Sequence, residues 1–264
     1  MLYFHSWSGG KDSTASIILD HIHKLPPSRI VMSEVMFDIK RGISGELPEH
    51  MEWVHNVAIP LFKSWGYETE IIHAKVDYLS LFYHVIEKTE NEERKGKYAG
   101  WLIGGKCAAN RTLKTCPIGE YYKQFDDAEI IQYVGIAADE KERLQRLEGT
   151  NKVSLLQRYG YTERMARDLC EEYNLLSPIY KFSKRGGCWF CPNQKWEEFA
   201  HTRKHHPELW AELEKLNKEQ NVVSRGFKWG KTLEQVTERV DQEIRNQAAA
   251  SAQISIFDFL EEEQ

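Results

Sequence analysis

The stretch that most constrains this chain is Ser8-Gly9-Gly10-Lys11-Asp12-Ser13, which follows the apolar run Leu2-Tyr3-Phe4 and opens a helical pattern from Thr14 to His23. A strand, a glycine turn and a helix start, in that order, make an anion-binding device. The unpaired N–H groups and the positive dipole end of the helix point at the ligand. Paired glycines let backbone amides approach a phosphate closely, Lys11 adds a mobile positive charge, and Ser8 and Ser13 add hydroxyl donors. The loop is shorter than the Gly-x-x-x-x-Gly-Lys type that wraps terminal phosphates.

Strand and helix patterns alternate downstream. Arg29 to Phe37 reads as a second strand ending at Asp38, Gly42 to Gly45 as a turn, and Tyr67 to Ala74 as a third strand. Between them, Glu46-Leu47-Pro48-Glu49 leads into a helix with Trp53, Val57 and Leu61 on its apolar face. Tyr78 to Lys88 reads as helical and Thr89 to Lys97 as a charged loop; Ile130 to Gly135 is a fourth strand, and Ala138-Asp139-Glu140 with Arg143 opens the next helix. Thr162 fits the N-cap of a helix running to Tyr173, within which Cys170 is expected to be a buried structural thiol. The expected fold is α/β, a doubly wound parallel sheet, whose ligands bind outside the carboxyl ends of the strands. Asp38 and the Gly45–Glu49 run sit at such an end. The Gly45–Glu49 run reads equally as a helix start with Pro in its first turn.

Three parts are expected: residues 1–180 as the nucleotide-binding domain, 181–250 as a cysteine knuckle with a helical region, and 251–264 as a flexible tail. No apolar stretch is long enough to span a bilayer and the N-terminus lacks a basic-then-apolar signal pattern, so a cytoplasmic protein is expected. A net charge of -5 gives no general attraction to nucleic acid, although Lys181, Lys184 and Arg185 form a local basic patch or a solvated face. Five cysteines, an odd number, favour metal or redox chemistry over a disulfide framework. Cys188 and Cys191 form a Cys-x-x-Cys turn able to chelate one centre, and Cys107 and Cys116 are the other pair outside a predicted helix interior. Four thiolates suit zinc or a four-iron cluster. His201, His205 and His206 are expected to be surface or helix-packing residues. The tail fades from an amphipathic helix, Leu233 to Ala250, through a flexible connector into Gln253-Ile254-Ser255-Ile256-Phe257, which suits an extended ligand for apolar pockets on another protein.

The Ser-Gly-Gly-Lys-Asp-Ser hexapeptide resembles the hallmark of the PP-loop superfamily of ATP pyrophosphatases and sulfonucleotide reductases. Gly45, Pro48 and Glu49 resemble the Thr-Gly-x-x-(Phe/Leu)-Pro-Glu stretch that follows the second strand in its phosphoadenylylsulfate (PAPS) reductase-like branch. Gly135, Glu140 and Arg143 fit a further element in which Ala137 replaces an arginine. Lys114-Thr115-Cys116-Pro117 and Gly187-Cys188-Trp189-Phe190-Cys191-Pro192 resemble the cysteine layout of adenylylsulfate reductases and DNA-phosphorothioation enzymes, except that Lys106 precedes Cys107 where the reductases have adjacent cysteines.

The resemblance implies an adenine nucleotide, ATP or a sulfonucleotide (PAPS or APS), held by Ser8 to Ser13 with Phe37, Asp38, Gly135, Glu140 and Arg143. It further implies Lys11, Asp12 and Ser13 as catalytic residues, Mg2+, and a [4Fe-4S] cluster on Cys107, Cys116, Cys188 and Cys191, with Zn2+ as the alternative. Two reactions follow from it. One is adenylation with pyrophosphate release for sulfur transfer to nucleic acid, using a sulfur donor. The other is reduction of a sulfonucleotide by a thiol reductant, which lacks its usual C-terminal nucleophile here because no cysteine follows Cys191. A non-catalytic adaptor that binds nucleotide is a third reading. The Gln253 to Phe257 pentapeptide closely resembles the peptide that binds bacterial sliding clamps.

Overall fold

The computed structural model describes residues 1–102, 107, 109–125 and 129–262, residues 251–262 as backbone alone. Two compact units divide the chain: Met1–Leu79 with Ala108–Cys188, and Ser80–Cys107 with Trp189–Gln264.

The first unit is α/β. Strands β1 (Leu2–Trp7), β2 (Ser28–Glu34), β3 (Glu68–His73), β4 (Ile130–Val134) and β5 (Lys152–Val153) form one sheet in the order β3-β2-β1-β4-β5. Every neighbouring pair is parallel, with Tyr3 opposite Ser28 on one side of β1 and Ile131 on the other. The period-2 alternation of β1 sends its side chains to two helical layers. His5 and Trp7 meet Asp20 and Thr14 of helix α1 (Lys11–His23). Phe4 packs on Tyr121, Tyr122 and Phe125, at and just beyond the end of helix α4 (Cys116–Tyr122). Both faces of the sheet are therefore covered, and Phe4, His5 and Trp7 of β1 and Ile30 to Ser33 of β2 are buried.

The second strand is shorter than its sequence pattern. It ends at Glu34, and Met36–Asp38 pairs antiparallel with Ile43–Ser44, so the expected turn from Gly42 to Gly45 is a small hairpin. The helix that follows runs through α2 (Pro48–Trp53), a π-turn at Val54–Ala58 and α3 (Ile59–Ser64). One extra residue per turn there shifts the apolar phase. Val57, expected to face the core, is 41% exposed, and Ala58 and Phe62 take the core instead.

Three more helices complete this unit: α5 (Lys141–Gln145), α6 (Leu155–Tyr159) and α7 (Glu163–Glu172), with Thr162 capping the last through the Met165 amide. Cys170 is fully buried, as expected of a structural thiol.

The second unit is mostly helical: α8 (Trp196–His205), α9 (Pro207–Asn217) and α10 (Leu233–Glu262), with Tyr98–Gly100 pairing parallel to Val222–Ser224. Trp189, Phe190, Phe199, Trp210 and Phe227 are buried in it.

Two sequence expectations fail here. The helix expected from Tyr78 to Lys88 stops at Phe82, because Val85 bridges Tyr98 and the Ile86 amide donates to the Lys97 carbonyl. The connector expected at residues 248–252 is helical instead: α10 continues through Ala248 to Glu262, in keeping with the high helix propensity of alanine. Residues 103–106, within the glycine-rich entry to Cys107, lie outside the described residues, as do the side chains of Gln253 to Phe257. Among the described residues, no helix is long and apolar enough to cross a membrane.

Candidate functional site

The hexapeptide sits at the carboxyl end of β1, the central strand, and delivers the chain into α1. Gly9 has φ +70, and a Cβ there would overlap the imidazole of His50. Both features demand glycine. Gly10 is the N-cap of α1 and has no side chain with which to close the first turn of that helix. From β4, Gly135 comes so close that a Cβ would overlap the Ser13 backbone nitrogen, which places this glycine against the first turn of α1.

His50 is the supporting residue the sequence reading missed. It is buried, its Nδ1 lies 2.7 Å from Ser177 Oγ, and its ring hydrogen-bonds the Ser8 backbone. Burial lowers its pKa, against the opposing pull of Glu46, and so favours the neutral ring. Glu46 is itself buried and accepts from Lys114 Nζ at 2.9 Å, and despite burial that lysine and His50 hold its carboxyl below the usual range. The Gly45–Glu49 run thus leads directly into His50, which meets the glycine loop. The signal in the sequence was a histidine one residue beyond that run.

Lys11 is not the mobile charge expected. It is only 9% exposed, and its Nζ donates to Asp12 Oδ1 at 2.8 Å and to Glu163 Oε2 at 2.9 Å. Burial works against its charge, but the hydrogen bonds it donates to Asp12 and Glu163 prevail and raise its pKa. Burial also raises the pKa of Asp12, opposed by Lys11 and reinforced by Glu163 and Glu140. A lysine between two carboxylates, with a third nearby, is a compensated charge cluster.

The serines are tied within the loop. Ser13 Oγ donates to the Gly10 carbonyl at 3.0 Å, and the Ser8 and Ser13 hydroxyls are 3.1 Å apart. One loop amide is also taken: Lys11 N–H donates to the buried Tyr180 hydroxyl at 2.8 Å.

The remaining expected residues divide. Glu140 accepts from the Ala137 amide at 3.0 Å and pairs with the guanidinium of Arg143, itself half exposed. Phe37 is fully buried and stacks on Tyr78, so it is a core residue and not a ligand surface. Asp38 binds Arg41 Nε at 2.5 Å.

Of the cysteines, Cys116 and Cys188 belong to the first unit and Cys107 and Cys191 to the second. Cys107 and Cys116 are exposed, and Cys188 and Cys191 half-buried. Cys170 donates to the Lys11 carbonyl at 3.2 Å, and burial, with help from Asp12, pushes its thiol up to about 12.

Neither protein-family models, nor curated proteins, nor solved structures give a match to this chain.

Proposed function

We propose that this chain is a PP-loop enzyme of the PAPS reductase-like group, with an adenine nucleotide α-hydrolase-like fold, that binds ATP and adenylates a substrate for sulfur transfer to nucleic acid, releasing pyrophosphate. One observation carries the reading. The Gly9-Gly10 turn, braced by His50, opens a helix whose N-cap residue offers no side chain, at the end of the central strand of a parallel sheet. That is where such sheets bind nucleotide phosphates.

The amides of the first turn of α1 would meet the pyrophosphate portion of ATP, and Tyr180 would surrender its place on the Lys11 amide to a phosphate oxygen. Lys11, kept charged by Asp12 and Glu163, would exchange one carboxylate for the anion and stabilise charge growing on the leaving group. Mg2+ bound with the nucleotide would share the phosphate charge, and Asp12 is the carboxylate carried by the loop itself.

The donor chemistry of the cysteines fits a four-thiolate group. The four expected ligands are at least partly accessible, whereas the fifth thiol, Cys170, is shut away. Cys107, Cys116, Cys188 and Cys191 would hold a [4Fe-4S] cluster, or Zn2+ in its place. Such a cluster would supply one-electron chemistry when bound.

The test is ATP binding by calorimetry and pyrophosphate release with candidate DNA and RNA substrates, for the native chain and Lys11→Ala. We expect ATP affinity to fall at least tenfold in the variant with the circular dichroism spectrum unchanged. Equal affinity in both proteins would place the nucleotide elsewhere. Release from a sulfonucleotide of sulfite, in the absence of any ATP turnover, would select the reductase reaction.

A further inference from the structure

A separate chemical feature lies in the second unit, at the end of α8. His201 and His205 are four residues apart, so both imidazoles leave the helix on one face, with ring centroids 4.6 Å apart. His206 ends the helix and its ring lies 5.9 Å from that of His201. Ligand nitrogens of His201 and His206 lie within 4.8 Å of one another, a span that one ion can bridge after small rotamer changes.

Three features of the surroundings favour a cation there. Helix carbonyls point out of the C-terminal end of α8, where the dipole is negative. The Glu208 carboxylate stands 3.5 Å from His206 Nδ1, the outer partner that metal-bound imidazoles ordinarily have. The neighbouring Arg203 is neutralised by Asp241, at 2.5 Å, and by Glu214, at 3.4 Å.

We propose that His201, His205 and His206 bind a borderline divalent transition-metal ion, zinc foremost. Imidazole nitrogens suit zinc better than they suit magnesium or calcium, which prefer oxygen. His205 is exposed and closes on the ion by a rotamer change. Three nitrogen donors leave a coordination position for water or a fourth ligand.

The test uses the full chain, stripped with chelator and with its accessible thiols alkylated so that cysteines do not compete. Zinc chloride is titrated against a chromophoric chelator, and X-ray absorption is recorded on the loaded protein. The native chain is expected to bind one more zinc than His201→Gln/His206→Gln, with a nitrogen shell at about 2.0–2.1 Å rather than sulfur near 2.3 Å. His205→Gln should weaken binding about tenfold. Equal stoichiometry and affinity in the native and doubly substituted proteins, or a sulfur shell alone, would overturn the site. Should the double variant fail to fold, the exposed His205→Gln decides, and affinity unchanged within twofold would overturn it.

Discussion

Two lysines, one in each unit, are equally withdrawn from water yet differ in what surrounds them. Lys11 and Lys228 are both 9% exposed. Lys11 is met by the carboxylates of Asp12 and Glu163, the second of which is 53% exposed as a side chain. Lys228 donates to two backbone carbonyls, of Pro192 and Gln194, at 2.7 Å each, and lies over the rings of Trp196 and Phe199 at 5.2 and 5.3 Å. Carbonyls bound into a turn cannot leave, whereas a half-exposed carboxylate can swing into water and be replaced by another anion. Lys228 is thus a fixed bolt through the Cys191-Pro192-Asn193-Gln194 turn. Lys11 holds an exchangeable charge.

The contrast predicts its own breaking points. Lys228→Met leaves two carbonyls of the turn without their donor and is expected to cost about 3 kcal/mol, read from the urea midpoint by tryptophan fluorescence. A loss below about 1 kcal/mol would mean that water satisfies the turn as well as the ammonium does. Lys11→Ala should cost less stability, about 1 kcal/mol, because Asp12 and Glu163 recover hydration once the ammonium is gone. A larger cost would make Lys11 a structural bolt as well. The smallest effect on folding is expected from Glu163→Gln, under about 0.5 kcal/mol for so exposed a group. If Glu163 competes with the nucleotide for Lys11, that variant should bind ATP several-fold more tightly. Weaker binding would show that the carboxylate contributes to the site instead.

The loop itself was legible in the sequence because everything it needs is local: two glycines, a strand before them and a helix after. Parallel strand order followed from the alternation of patterns. What supports the loop was not legible, since His50, Glu163 and Tyr180 reach it from 39 to 169 residues beyond Lys11, and only packing brings them there. Thr162 marked a helix start, yet nothing local in the sequence said that Glu163, at the first position of α7, would meet Lys11. The exposed Val57 was missed for a different reason. A π-turn breaks the 3.6-residue period on which the face was drawn, and no single residue of Val54–Ala58 announces one. The helical tail was misread because small residues at 248–252 pattern as a linker, although four of the five are alanine, the strongest helix former.

Because the Cys170 sulfhydryl is hooked to the carbonyl of Lys11 at the start of α1, it is sealed for as long as that turn stays down. The molecule thereby carries a native chemical timer: the rate at which a thiol reagent reaches this one sulfur reports how often the first turn of α1 lifts, with no label introduced.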